Sequence, residues 1–256
     1  MSSPLANNYL SLKPDSDMRT NMIHIQNRTV RPEFTRLFEV LDRFFKIYYA
    51  SGTAPCIWCA GGAFRNVLNG HKINDLDLYS PDPMKALARI KELIKTENGA
   101  RCIKEYPSSF TFALPQAETA GDDTYSNLEF QLINATYGDD PIKTLRTFDF
   151  VCCMAAYDGA RFYHATYFVD DNDRKMLHYI PVGNPLRSLW RAFKFSKEYS
   201  FHMPFRTFQS LLSHMQEQSH TVKWRAILTA GHEQDLLDYG LWELKPQVYE
   251  DLDIPF

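Results

Sequence analysis

The stretch that most constrains this chain is residues 56–80, CIWCAGGAFRNVLNGHKINDLDLYS. Cys56 to Ala60 is a short apolar run, as expected of a fully buried strand. Gly61 and Gly62 follow at once. Glycine lets the backbone turn sharply and lets an anion come close to the N–H groups. Ala63 to Leu68 then starts a helix whose positive end faces that turn, and Asn69-Gly70 stops it. A second strand carries Asn74-Asp75-Leu76-Asp77-Leu78. Side chains alternate along a strand, so Asp75 and Asp77 share one face while Leu76 and Leu78 enter a core. Two carboxylates beside a phosphate-sized turn suit Mg²⁺, with Mn²⁺ as the alternative. Mg²⁺ takes hard oxygen ligands and is usually shared between one or two carboxylates and substrate phosphates. Two such ions can clamp an attacking hydroxyl and a leaving pyrophosphate. An isolated Asp-x-Asp is usually a solvated strand end and an isolated Gly-Gly a loop, so the reading rests on their order and close spacing.

That order, Gly-Gly-x-x-Arg (Gly61, Gly62, Arg65) followed by Asp-x-Asp (Asp75, Asp77), resembles the head domain of the class II poly(A) polymerase and CCA-adding nucleotidyltransferases. The likeness runs over roughly residues 55 to 200, most strongly 60 to 80. It implies an α/β (α+β) fold, a nucleotidyltransferase head with a mixed β-sheet flanked by helices, over residues 31–183. A polar N-terminal arm (1–30) precedes it and a small helical C-terminal domain (184–256) follows. The resemblance also implies transfer of a nucleoside monophosphate from a nucleoside triphosphate to an acceptor hydroxyl, an RNA 3′ end being favoured. Protein and small-molecule acceptors stay open, and so does a catalytically silent module that binds nucleotide, RNA or a partner protein. Asp75 and Asp77 are then the metal ligands. Gly61 and Gly62 receive the phosphates, and Arg65 orients the turn or contacts the triphosphate. The resemblance is to a short, divergent member of that group, compatible with a phage or viral source.

Two further stretches carry the resemblance with departures. Phe148 to Asp158 is similar to the family's Arg-Arg-Asp-Phe-Thr-Ile-Asn-Ala segment, which helps hold the incoming nucleotide. Asp149-Phe150 falls on its Asp-Phe, Thr147 and Phe148 stand where the two arginines would be, and Cys153 replaces the asparagine. Arg146 lies one position away. Asp149 enters as a nucleotide-binding candidate, with a capping or orienting role as its alternative. Asn184 to Phe195 is similar to the family's neck helix. It places Arg187, Arg191 and Lys194 on one face, at spacings of four and three. Such a face suits a triphosphate or a nucleic-acid backbone; a solvated face is the plain alternative.

A third acid is sought in Asn127 to Thr136, NLEFQLINAT. Alternation puts Leu128, Phe130 and Leu132 on one face and Glu129 and Gln131 on the other. A carboxylate on a central strand is costly to bury unless paired or metal-bound, so Glu129 is the candidate beside Asp75 and Asp77. The alternative is an edge strand with Glu129 facing water.

Around these motifs the chain reads as helix, strand and turn. Phe34 to Tyr48 repeats apolar residues at helical spacing and ends at Ser51-Gly52. Pro81 to Glu97 predicts a second helix. Arg101 to Leu114 predicts one or two strands around Pro107-Ser108-Ser109. Residues 116–126 form a polar, acidic loop, Asp139-Asp140-Pro141 opens a helix, and 159–183 predicts a strand pair turning at Asp170-Asp171-Asn172-Asp173.

Composition bounds the rest. With 45% hydrophobic and 23% charged residues and net charge −3, the chain is neither disordered nor a globally basic nucleic-acid coat. No apolar run of about 18 residues predicts a membrane span, and the first residues lack a signal pattern, so a cytoplasmic protein is expected. Five cysteines with no second close pair argue for buried, reduced thiols rather than a disulfide framework or a zinc site. Charge is uneven: seven Lys/Arg against two Glu over 184–225, one Lys against seven Asp/Glu over 232–256.

Overall fold

The computed structural model describes residues 23–27, 31–50, 52, 54–114, 128–135 and 137–219. Most of the polar arm, the acidic loop at 116–126 and the acidic stretch at 232–256 lie outside the described residues. The chain divides after Gly183 into two compact units.

The first unit is an eight-stranded mixed sheet flanked by helices. Its strands are β1 (Ile23–Asn27), β2 (Trp58–Ala60), β3 (Asp75–Tyr79), β4 (Arg101–Tyr106), β5 (Ser109–Ala113), β6 (Glu129–Ile133), β7 (Ala155–Tyr157) and β8 (Arg161–Ala165). They lie in the order β1-β8-β7-β2-β3-β6-β5-β4. Only the β3–β6 pairing is parallel; the others are antiparallel. A parallel neighbour needs a crossover, and helix α3 (Pro83–Thr96) with the β4–β5 hairpin supplies it.

Helix α1 (Thr35–Tyr48) lays its apolar stripe on one sheet face. Phe44 stacks on Phe130 of β6, Phe38 packs on Tyr157 of β7, and the Tyr157 hydroxyl donates to Asp42 at 2.6 Å. Helix α3 packs beside α1, behind β6. The Asp82 carboxylate caps its N-terminus by accepting from the Lys85 N–H, and Pro83 follows in the first turn. Helix α4 (Pro141–Leu145) is built the same way, with Asp140 as cap, and packs against β2, β7 and β8. Helix α2 (Gly62–Leu68) and helix α5 (Phe168–Arg174) pack together beside the 3-10 turn Val151–Cys153.

Three expectations are corrected. Residues 159–183 do not form a strand pair turning at 170–173: β8 is there, but Phe168–Arg174 is helix α5. Polar composition suggested a turn, yet Phe168 is fully buried, with Asp171 and Asn172 almost so. Asn172 stitches the helix down by donating to the carbonyls of Cys152 and Phe168. Within the polar arm, Ile23–Asn27 pairs along β8 as the edge strand β1. The β2 strand begins at Trp58 rather than Cys56. Cys56 and Cys102 are exposed, while Cys59, Cys152 and Cys153 are buried; all five are free thiols.

In the second unit, helix α6 (Pro185–Tyr199) opens on Asn184, whose carboxamide oxygen accepts from the N–H groups of Leu186 and Arg187. Helix α7 (Phe205–Ser219) packs against it. Among the described residues no helix is long and apolar enough to cross a membrane.

Candidate active site

The site is built on adjacent strands in mid-sheet. Along β3, Leu76 and Leu78 are fully buried in the core, which turns Asp75 and Asp77 to the opposite face. Asp75 is exposed and Asp77 half-buried. Register with the parallel strand sets Glu129 beside Asp75 and Gln131 beside Asp77. Because β6 lies between β3 and β5, the edge-strand alternative for Glu129 falls. Glu129 is half-buried, as are Gln131 and Ile133 on the same face, while Phe130 and Leu132 fill the core. Gln131 is held by donating to the Ser109 hydroxyl at 3.2 Å.

The glycine turn abuts this acidic face. Gly61 has φ 104° and ψ −139°, a conformation open to glycine and strained for other residues. A Cβ built on Gly61 would lie 3.8 Å from an Asp77 carboxylate oxygen and 3.6 Å from the Phe148 ring. The Gly61 N–H already donates to the Ala155 carbonyl at 3.0 Å. The Phe64 N–H donates to the Gly61 carbonyl at 3.3 Å, so the N–H groups of Gly62 and Ala63, which have no intrahelical carbonyl, are the donors left for an anion.

Arg65 does not reach outward. It is buried, its Nε and Nη2 donate to the Asn66 carboxamide oxygen at 3.1 and 2.8 Å, and its Nη1 donates to the Cys153 sulfur at 3.3 Å. Its Nη2 also lies 3.5 Å from the point where a Gly62 Cβ would stand. The guanidinium thus lies against the glycine turn, tied to Asn66 and Cys153. Asp149 is buried too, and its carbonyl accepts the Ile180 N–H at 2.8 Å, tying this segment to the bridge between Phe150 and Tyr179.

The carboxylates act on their surroundings. The buried Cys59 thiol is pushed well up, first by burial and then by the charges of Asp77 and Asp75. Among the described residues no group of three His, Cys, Asp or Glu side chains is gathered tightly enough to hold a metal by itself. The donor set fits an ion shared with a ligand's phosphates rather than a closed protein cage. Arg187 and Arg191 lie in the second unit. There Arg187 is exposed, Arg191 sits over the Phe195 ring at 5.5 Å, and Lys194 sits over Trp190 at 5.6 Å. Sequence reading passed over three rings beside the acids. Tyr79 packs edge to face with Tyr137 at 5.7 Å and against Phe148 at 6.1 Å. Their sequence separation gave no signal of this meeting; only the pairing of β3 with β2 and β6, and α4 between 137 and 148, brings them together.

A family model described as "Gabija anti-defense 2 family protein" matches residues 35–175, the span holding the turn, both aspartates and the parallel strand pair. The chain belongs to the Gabija anti-defense 2 family. A curated relative, "Gabija anti-defense 2" of Bacillus phage SPbetaL7, is 26% identical over 149 residues, covering 57% of this chain and 34% of its own length. The chain thus spans about a third of that relative. Among solved structures, similarity extends to a tRNA-processing enzyme in an apo form (TM-score 0.53, 17% identity, 75% of this chain and 49% of that one). It extends also to a CCA-adding enzyme with CTP (0.52, 18%, 76% and 47%) and to the Thermotoga maritima CCA-adding enzyme complexed with tRNA (0.52, 16%, 85% and 55%). At such identities the likeness establishes the fold. This family member shares with those structures a mixed sheet flanked by helices.

Proposed function

We propose that the chain is a divalent-cation-dependent nucleotidyltransferase. In this reading an acceptor hydroxyl oxygen bonds to the α-phosphorus of a nucleoside triphosphate, the bond to the β-phosphate oxygen breaks, and pyrophosphate leaves. The acceptor proton passes to solvent or a nearby carboxylate. The observation that carries the reading is the abutment of the Gly61-Gly62 turn on Asp77, with Asp75 one step along the same strand face. Asp75 and Asp77 would hold Mg²⁺ or Mn²⁺, with Glu129 beside Asp75 as the third acid. Bound there, such an ion neutralises charge on the attacking and leaving oxygens. The N–H groups of Gly62 and Ala63 meet phosphate, and Arg65 keeps the turn in shape. Asp149, itself buried, takes the orienting role.

The acceptor favoured is an RNA 3′ end. The solved structures of like fold include a tRNA-processing enzyme and CCA-adding enzymes, one of them with tRNA, and Arg187, Arg191 and Lys194 offer a basic face on α6. The family name further suggests that the activity serves against Gabija defence. A second reading is a catalytically silent module of the same fold that binds nucleotide, RNA or a partner protein. Thr147 and Phe148, in place of two arginines, favour it. Incubating the purified chain with each labelled nucleoside triphosphate, Mg²⁺ and pooled RNA or protein acceptors separates the two. Label on an acceptor, lost in Asp77→Asn, is the expected result; tight nucleotide binding with no transfer to any acceptor leaves the silent module.

A further inference from the structure

We infer that Tyr79, Tyr137 and Phe148 form a stacking platform for the base of the incoming nucleotide. The inference rests on the nucleotide-binding reading above and names what recognises the nucleoside half of that ligand. Position comes first. The Phe148 ring and an Asp77 carboxylate oxygen both lie within 4 Å of the point where a Gly61 Cβ would stand, so ring, acid and turn border one small space. Tyr79 follows Asp77 by two residues on β3, hence on the same face. It bridges the other two rings, at 6.1 Å to Phe148 and 5.7 Å to Tyr137.

Orientation comes next. Tyr79 and Tyr137 meet edge to face, at 85° between ring planes. Such a contact uses at most one of a ring's two faces. Tyr137 is 39% exposed, and Tyr79 and Phe148 are half-buried, so the cluster keeps aromatic surface outside the core while bordering a charged site. The platform is also braced. A Cβ on Gly138 would come within 2.5 Å of the Lys143 Cβ, so the loop after Tyr137 lies tight against α4. Phe148 is fixed at the other end of α4, its N–H donating to the Leu145 carbonyl at 3.1 Å. One short helix therefore spaces the two outer rings.

Chemistry selects the ligand. A phosphate chain gains nothing from aromatic faces, whereas every nucleobase has a π-face, and stacking on such rings tolerates any base. A ligand with phosphates at the turn and acids and a flat ring beyond them matches both halves of the site. Purines, with the larger face, should bind more tightly than pyrimidines.

The test is calorimetric titration of the full chain, with Mg²⁺, by ATP, GTP, CTP, UTP and tripolyphosphate. The wild type should bind every nucleotide more tightly than tripolyphosphate, ATP and GTP most. Tyr137→Ala and Phe148→Leu should each weaken nucleotide binding by on the order of 10-fold to 100-fold and leave tripolyphosphate unchanged, while Tyr137→Phe keeps wild-type affinity. If the wild type binds tripolyphosphate as well as nucleotide, or the variants bind nucleotide like wild type, the platform is refuted and the nucleotidyltransferase reading stands. If no nucleotide and no tripolyphosphate binds, both fall together.

Discussion

Gly61 and Gly62 are adjacent and chemically identical, yet alanine should act on them with opposite sign. At Gly61, φ of 104° and ψ of −139° place the residue in a region that L side chains rarely adopt. The space itself is adequate: the new Cβ would meet Phe148 at 3.6 Å and Asp77 at 3.8 Å, ordinary contacts. The cost of Gly61→Ala is therefore backbone strain alone, about 1–3 kcal/mol. Gly62 is the first residue of α2, with no such backbone constraint. Its Cβ would find the Arg65 guanidinium as its nearest neighbour, at 3.5 Å, an ordinary contact. Gly62→Ala mainly removes freedom from the unfolded chain, a gain of about 0.4–1 kcal/mol. The two variants should thus differ by roughly 1.5–4 kcal/mol, or about 3–15 °C in melting temperature for a unit of this size. Thermal melts followed by circular dichroism, run on the full chain without nucleotide, measure the difference. Equal melting temperatures, or Gly62→Ala as the weaker variant, would refute the reasoning.

Asp77→Asn should abolish nucleotide transfer while leaving the metal-free melting temperature unchanged or raised, because it relieves repulsion with Asp75; a wild-type transfer rate would remove Asp77 from the metal site. Gly62→Val should weaken triphosphate binding more than folding, since the larger side chain crowds the N–H groups at the start of α2. The solvent-facing His178 imidazole bonds the buried Asp171 carboxylate at 2.6 Å, and that bond holds the imidazole above its usual range. Asp171 is itself raised by burial. With its folded-state value raised, His178 contributes stability that is fully present below its unfolded value, near 6.5, and is lost as pH rises through the folded value. His71 and His164, lowered by burial, act in the opposite sense. The difference between wild type and His178→Gln in urea denaturation should therefore shrink as pH rises from about 6 to 9, and a constant difference would show that the pair has no such linkage. Arg187→Ala with Arg191→Ala should weaken RNA binding and flatten its log–log salt dependence by on the order of 1 to 1.5. If nucleotide affinity drops instead, these arginines serve the triphosphate; if neither moves, the α6 face is merely solvated.

The sequence by itself determined the mixed α/β class and the local order of the site. A buried strand, a double glycine, a short helix and a strand of alternating acids and leucines are all short-range signals. Period and turn chemistry alone specify them, and the structure keeps each within a residue or two. The helices read from Pro81 and from Asp139-Asp140-Pro141 were legible from apolar spacing and from a proline in the first turn, and the structure starts them at Pro83 and Pro141. What lay beyond local pattern had to come from tertiary structure. Residues 168–174 are polar enough to read as a turn, but the burial of Phe168 and Asn172, which hydrogen-bonds across to Cys152, makes them a helix. Ile23–Asn27 carries little signal of its own and is a strand because β8 offers an open edge. Arg65 read as either orienting the turn or contacting a triphosphate, and only the fold brings its guanidinium to Cys153, 88 residues away. Glu129 was balanced between water and the site until parallel pairing set it beside Asp75. The meeting of Tyr79, Tyr137 and Phe148 was likewise unreadable, because contacts between distant residues depend on strand order and register, which alternation along a single strand does not encode.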